Sequence, residues 1–443
     1  MNVILVSLDS LRADALGCYG NQIVRTPHVD ALAATGAVFE NAIVQTPYTI
    51  PSHASMLTGL YPFNHQLRKQ FGRKMTAKAR TIFTVLKEWG YHSATFLGVS
   101  VLGGEHGYQD WNRLGSPQIG RIRRTLAGMP RPFFMFIHYW DIHVPYRVLV
   151  PAATMRDRIG NMVLRLEDLG LSLPRPLRYR LLPAGGPVSI QRIRHVADML
   201  QSGRLGEVLE GYYRAVERAD TFMGRLVDCL QKCGLLSDTL LVVTSDHGDS
   251  FNEHNEIDMA PKYPNAYVHG HFLYDNVLKV PLIWHCPEAF GHRTIGQQVE
   301  MVDVVPTLHD LLDMPPSGSS GYLDFDGVSL RGLLMDDGTA HPRQYAYSET
   351  LLGESHSVAV RSLSYKLILD FKRDSQLLFD LRSDPGETHD LSAQKPEIVT
   401  QLKEELQRIE ARAQEPSSGE DVVLSDEEQE AVRRRLEALG YVE

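Results

Sequence analysis

Short apolar runs that end on polar or acidic residues set the strongest limit on how this chain can fold. They are Val3 to Leu8, Phe133 to Ile137 and Leu240 to Thr244, with Pro281 to Trp284 a shorter fourth. A parallel strand covered on both faces reads this way, because neither of its sides alternates with solvent. Between these runs, Thr81 to Trp89 and Tyr212 to Leu230 carry apolar residues at helical spacing, the first stopping at Gly90. The alternation predicts an α/β fold, a mostly parallel central sheet flanked by helices, with ligands beyond the carboxyl ends of the strands. Asp9 and Asp246 each follow a strand and so fall on one rim.

After about Leu334 the pattern changes to short alternating segments, Ser357 to Val360 and Lys366 to Leu369, followed by a charged helical stretch. The expected organisation is an α/β catalytic domain over 1–334 and a smaller C-terminal domain of antiparallel sheet plus helix over 335–443. A last helix is expected from the capping-box residues Ser425 and Glu428 to Gly440. Residues 147–204 read as an insertion in the first domain, with ten arginines against four acidic residues and prolines at 174, 176, 183 and 187. It is a solvated, lid-like excursion or a basic canopy that draws anions to the rim.

The formal net charge of −9 gives the chain no general electrostatic footing for nucleic acid or an anionic membrane. An anionic substrate must therefore be captured locally. The four cysteines are too few and too irregular for a disulfide framework, which fits a reducing compartment. The opening MNVILVSLDS lacks the basic start and cleavage site of a secretory signal, and no stretch reaches the roughly 18–20 apolar residues of a membrane span. The expectation is a soluble, cytoplasmic protein without a membrane partner; a homo-oligomer is left open.

Asp9 closes VILVSLD, and Asp246 and His247 close LLVVTSDHGD. Two carboxylates and an imidazole on one rim suit manganese or zinc. Helix capping would explain one acid, but not Asp246, His247 and Asp249 packed around a glycine. In TPYTIPSHASMLTGLYP a Ser-, Thr- and Pro-rich loop enters a helix, whose free N–H groups favour an oxyanion. Thr49 or Ser52 there is either an ordinary N-cap or a hydroxyl that a metal activates as a nucleophile.

Together these stretches resemble the sulfatase branch of the alkaline phosphatase superfamily. LDSLRADALGCYG resembles its opening metal strand, TIPSHASMLTGLYP its nucleophile motif, HYWDIHVPY its middle histidine segment and TSDHGDSFNEH its second metal strand. HGHFLYDNVLKVPLI resembles its substrate-side segment, while VDVVPTLHDLL and LFDLRSDPGETHDL resemble its later signatures. The resemblance implies an alkaline-phosphatase-like fold, a metal site of Asp9, Thr49, Asp246 and His247, and functional roles for His143, His269 and His271.

The departures bear on the chemistry. Sulfatases resemble Cys-x-Pro-x-Arg or Ser-x-Pro-x-Arg at the nucleophile, where the first residue becomes formylglycine; here the positions are Thr49, Pro51 and His53. Members with a plain threonine are nucleotide phosphodiesterases and phospholipid-headgroup transferases, so Thr49 implies phosphoryl chemistry. The family's Gly-Lys-x-His signature is replaced by Gly98, Val99 and Val101. His247 stands where sulfatases carry Asn, and Ser10 stands in place of a second aspartate.

The resulting expectation is a metal-dependent hydrolase that cleaves a phosphate diester or phosphonate monoester through a phosphothreonine intermediate on Thr49. Thr49, His143 and His269 carry the catalysis, while His53, His271 and Lys279 bind a small anionic ester. Asp9, Thr49, Asp246 and His247 hold a divalent metal, manganese or zinc ahead of calcium, as one or two ions. His254 and Asp141 are further candidates beside the histidines, and Arg12 a further anion contact. The alternatives are a sulfuric ester hydrolase working without formylglycine and a family member that binds anions without turnover.

Overall fold

The computed structural model describes residues 1–69, 75–76, 79–97, 117–146, 158–159, 161–162, 190–256, 268–314, 324–336, 343–352 and 355–413. Gly98, Val99, Val101, the helix expected at 425–440 and most of the insertion at 147–204 lie outside them.

Seven strands form the main sheet: β1 (Asn2–Leu8), β2 (Ala37–Ile43), β3 (His92–Phe96), β4 (Phe133–Tyr139), β5 (Thr239–Thr244), β6 (Lys279–His285) and β7 (Arg293–Glu300). Their order is β3-β4-β1-β5-β6-β2-β7. β1 is parallel to β4 and β5 on either side, with Ser7 opposite His138 and Thr244. The sheet is mostly parallel, as the apolar runs predict.

One expectation is corrected. The run at Pro281 to Trp284 belongs to β6, which is antiparallel to both β5 and β2. The chain leaves β5 at the carboxyl rim and re-enters the sheet at the same rim, so it must run back. An apolar run reports burial on two faces and carries no direction, which is why its sequence reads like the others. The apolar runs do not mark β2, β3 or β7; β3 and β7 are edge strands with exposed or half-buried positions, so their apolar signal is diluted.

Alternate residues of β1 serve opposite faces, as strand geometry requires. Val3 and Leu5 pack with α2 (Thr49–Thr58), α3 (Ile82–Glu88) and α7 (Val304–Leu311). Ile4, Val6 and Leu8 pack with α1 (Pro27–Ala33), α4 (Ile119–Gly128), α5 (Ile190–Gln201) and α6 (Leu205–Lys232). Helix α6 buries Val208, Tyr212, Val216, Ala219, Met223 and Leu226, a stripe spaced by three and four residues. From the same helix Asp220 accepts the free N–H groups of His28 and Val29 at 2.9 and 2.8 Å, capping α1 from across the interface.

The second sheet is antiparallel, in the order β11-β10-β9-β8, from β8 (Ala346–Thr350), β9 (Ser357–Arg361), β10 (Tyr365–Asp370) and β11 (Ser375–Asp380). Helix α8 (Pro396–Glu410) covers it with Val399, Leu402, Leu406 and Ile409. Burying each such side chain contributes about 1.5–3 kcal/mol. Among the described residues no helix is long and apolar enough to cross a membrane, and all four cysteines are free thiols.

Candidate metal centre and active site

Three chain segments meet above the carboxyl ends of β1 and β5. Asp9 follows β1 directly and Asp246 lies two residues past β5, so the parallel pairing brings both carboxylates to one rim. Helix α2 starts at Thr49 on that rim, because β2 also ends there. Asp9, Thr49, Asp246 and His247 are all buried.

Ser10 ties the two strand tips together. Its hydroxyl donates to Asp9 Oδ1 at 2.9 Å and its backbone N–H to Asp246 Oδ1 at 3.3 Å. Its φ of 60° lies in the left-handed region, so the turn is held by these bonds rather than by intrinsic preference. Where the resembled family has a second acid, this chain thus has a clamp. Glycine is required at 248 for a different reason: a Cβ there would sit 2.2 Å from the Asn276 carbonyl oxygen.

His247 donates from Nδ1 to the Gly248 carbonyl at 2.9 Å, which leaves Nε2 as the acceptor nitrogen. That nitrogen lies 3.4 Å from Thr49 Oγ1 and 3.5 Å from Asp246 Oδ2. Burial opposes the charged imidazole, but Asp246 first, then Asp9 and Asp249, outweigh it and raise its pKa. Burial likewise opposes the Asp246 carboxylate, yet His247, His53 and His138 hold it below the usual carboxylate range.

Thr49 is the first residue of α2 and not its cap; Tyr48 occupies that position without a side-chain bond. Ser52 is not a cap either, since its hydroxyl donates to the Asp246 carbonyl at 2.5 Å. The capping alternative for this loop is thereby removed.

A proton-carrying pair stands beside the cluster. Asp249 and His269 approach to 2.6 Å through Oδ1 and Nδ1, while the Tyr146 hydroxyl donates to Asp249 Oδ2 at 2.9 Å. Burial pushes the Asp249 carboxyl up to about 8. Burial and then His247 push His269 well below its ordinary value. His143 stacks on Trp140 at 4.0 Å, donates from Nδ1 to the Val144 carbonyl at 2.7 Å and meets the His269 ring edge-on at 5.1 Å. Burial pushes its pKa down to about 3.

The remaining sequence candidates have partners of their own. His53 is fully buried, 2.8 Å from the Ser7 hydroxyl and edge-on to His138 at 4.8 Å. His271 bonds the Ser355 hydroxyl at 2.7 Å. His254 stacks on Tyr274 at 3.6 Å and bonds Glu256 and the Gly386 carbonyl, a structural arrangement. Arg12 is committed to Asp14, Glu253 and the Asp249 carbonyl, so it braces the loop after β5. Lys279 lines a separate cavity of about 430 Å³ with Arg12, Glu253, Asp275, Arg361 and Glu387; Thr49, Asp246 and His247 are not among its walls. Half-buried Asp141 has the Tyr139 hydroxyl 3.5 Å from its carboxylate and lies in none of the carboxylate–imidazole groups found among the described residues.

His138 was missed. It ends the apolar run of β4, bonds Asp9 Oδ2 through Nε2 at 2.8 Å and is fully buried. The available signal was a histidine inside a doubly covered strand, a costly placement unless the ring has a partner there.

The donor chemistry fits a divalent cation. Asp9, Asp246 and His247 each offer a ligand atom within 4.8 Å of the others, and the buried Asp246 Oδ2 has no hydrogen-bond partner. A buried carboxylate oxygen left so is costly without a counter-charge.

Known proteins resemble this chain over most of its length. A family model described as Sulfatase matches residues 1–111 and 121–314, and one described as N-sulphoglucosamine sulphohydrolase, C-terminal, matches 265–412. The arylsulfatase K of Mus musculus is 23% identical over 461 residues, covering 92% of this chain and 79% of the relative. A structure solved in complex with its substrate D-glucosamine-2-N,6-O-disulfate superposes with a TM-score of 0.71 at 19% identity, covering 95% of this chain and 99% of that one. The phosphonate monoester hydrolase of Agrobacterium radiobacter superposes with a TM-score of 0.69 at 20% identity, covering 93% and 96%.

Proposed function

The chain belongs to the sulfatase family of hydrolases, and from that premise we propose that it cleaves a small anionic phosphate ester, a diester or a phosphonate monoester, with Thr49 as nucleophile. One observation carries this reading: a threonine hydroxyl lies 3.4 Å from the acceptor nitrogen of His247, at the place the resembled motif gives to the nucleophile. Formylglycine arises from cysteine or serine in the resembled motif, and this chain has neither there. Structural likeness to a phosphonate monoester hydrolase is compatible with the reading, as is the likeness to arylsulfatases.

Asp9, Thr49, Asp246 and His247 would hold the cation, and manganese or zinc suits their mixture of oxygen and nitrogen. When bound, it supplies positive charge that lowers the cost of ionising the Thr49 hydroxyl and of gathering charge on the transferred group. The Thr49 Oγ–P bond forms as the ester P–O bond breaks, and the hydroxyl's own proton passes to solvent. A proton held between Asp249 and His269 passes to the departing oxygen, with His143 beside that pair. Water then cleaves the Oγ–P bond, releasing the acid product; one water proton returns to the Asp249–His269 pair, and Thr49 Oγ takes back a proton from solvent. Position and charge dominate such transfers. The same reading takes the cytoplasm as the compartment, in keeping with four free thiols, and needs neither nucleic acid nor a membrane.

The test is a panel of aryl phosphate, phosphodiester, phosphonate monoester and aryl sulfate, each with manganese or zinc. The expected result is preference for the diester or phosphonate; a clear preference for sulfate would overturn the proposal.

A further inference from the structure

The pattern Thr49-x-Pro-x-His53 places two side chains four residues apart, on one face of α2. His53 therefore points toward the same rim as Thr49, one turn deeper. There it meets His138 from β4 and Asp246 from beyond β5, the two strands that flank β1. These three fully buried residues each offer a ligand atom within 4.8 Å of the others.

Unpaired buried polar atoms accompany this cluster. With His138 Nε2 bonded to Asp9, its buried Nδ1 has no hydrogen-bond partner, and Asp246 Oδ2 has none either. Each buried polar atom left so costs about 1–3 kcal/mol. A doubly apolar strand and a helix interior gain nothing from imidazoles that serve only as packing.

We propose that His53, His138 and Asp246 form a second divalent-cation site, next to the first and sharing Asp246 with it. The proposal rests on the reading above only in that Asp246 also serves the first cation. Charge arithmetic favours it. Asp9 and Asp246 balance one dication, whereas a phosphodiester and an ionised Thr49 would bring two more negative charges into the same buried space. A second dication offsets them without importing water. The competing role for His53 and His138, orienting the carboxylates of a single-ion site, requires only one ion per chain.

Stoichiometry separates the two. The full-length protein, stripped with a chelator and reloaded with manganese(II), is measured by elemental analysis and electron paramagnetic resonance. The expected result is two ions per chain and a spin-coupled manganese pair in the wild type. His53→Gln and His138→Gln, checked for folding by circular dichroism, should each keep one ion and show only uncoupled manganese. One ion per wild-type chain with an uncoupled spectrum overturns the proposal without any variant being needed. Wild-type stoichiometry in both folded variants overturns the ligand assignment. Phosphodiester cleavage with a single ion would sink this site and leave the proposed function standing; two ions with turnover of sulfate esters alone would do the reverse.

Discussion

Thr49 Oγ1 lies 3.4 Å from His247 Nε2, and the other ring nitrogen of His247 is committed to the Gly248 carbonyl. The bond at Nδ1 fixes the tautomer of the neutral ring, whose Nε2 then faces the hydroxyl with a lone pair. Helix α2 and the loop after β5 are thus joined at the point where an alcohol needs either a base or a cation to become an attacking oxygen.

Replacing the alcohol should remove turnover and spare most of the cation. Thr49→Ala is expected to lower kcat/KM for the preferred ester by at least about 1,000-fold, about 4 kcal/mol of barrier. Thr49→Ser should retain measurable activity, since the hydroxyl remains. Metal content, read by elemental analysis, should persist in Thr49→Ser and fall only in part in Thr49→Ala, where three of the four ligands remain.

Removing the cation should also lower stability. A cation present at about 100 times its Kd adds about 2.7 kcal/mol to the folded state. Calorimetry of chelator-treated protein is therefore expected to show a lower Tm that manganese restores. Asp246→Asn, which keeps an oxygen for Ser10 but loses the charge, should abolish most of that manganese-dependent rise.

The Asp249–His269 pair gives the rate an alkaline limit. Burial pushes the Asp249 carboxyl up to about 8, so the pair holds its proton at neutral pH and loses it as pH rises through that value. The kcat/KM for an ester with a poor leaving group should fall above about pH 8. An activated aryl ester, whose leaving group needs no proton, should fall less. Because the folded-state pKa exceeds the unfolded one, the contribution of Asp249 to stability falls as pH rises from the ordinary carboxylate range to about 8 and changes no further above that. Asp249→Asn should remove both effects while lowering the rate at neutral pH.

A buried ionic network joins the two sheets. Asp275 accepts from Arg361 and Lys366, and Lys366 pairs with Glu387 at 2.8 Å. Lys366 is fully buried, so Lys366→Met leaves carboxylates short of a partner and should cost about 3–5 kcal/mol in denaturant unfolding. Burial raises the Asp275 pKa, but Arg361 and Lys366 outweigh it and hold it below the usual carboxylate range. Its contribution is therefore present at neutral pH and should be lost on acidification below the usual carboxylate range.

The strand tips were legible because a doubly covered strand admits almost no polar residue, so Asp9 and Asp246 stand out where the apolar runs end. Thr49 was legible only through the resemblance to the family's nucleophile motif, since the change from loop chemistry to helical spacing marks Ser52 equally. The direction of β6 was not, since Val280 to Trp284 satisfies burial equally well either way. His138 was hidden by its position: one imidazole closing FFMFI reads as a strand end until the register sets it opposite Ser7 and beside Asp9. Lys279 starts a strand at the correct rim, yet packing turns it into a different cavity, and sequence carries no record of that.

Peptide mapping of protein acid-quenched during steady-state turnover of a phosphodiester reads the attacking atom itself. The expected result is a phosphoryl adduct on the peptide containing Thr49, present with manganese or zinc and absent after chelation. Turnover with Thr49 unlabelled, or with the adduct on another side chain, would contradict the assignment of this hydroxyl as the nucleophile.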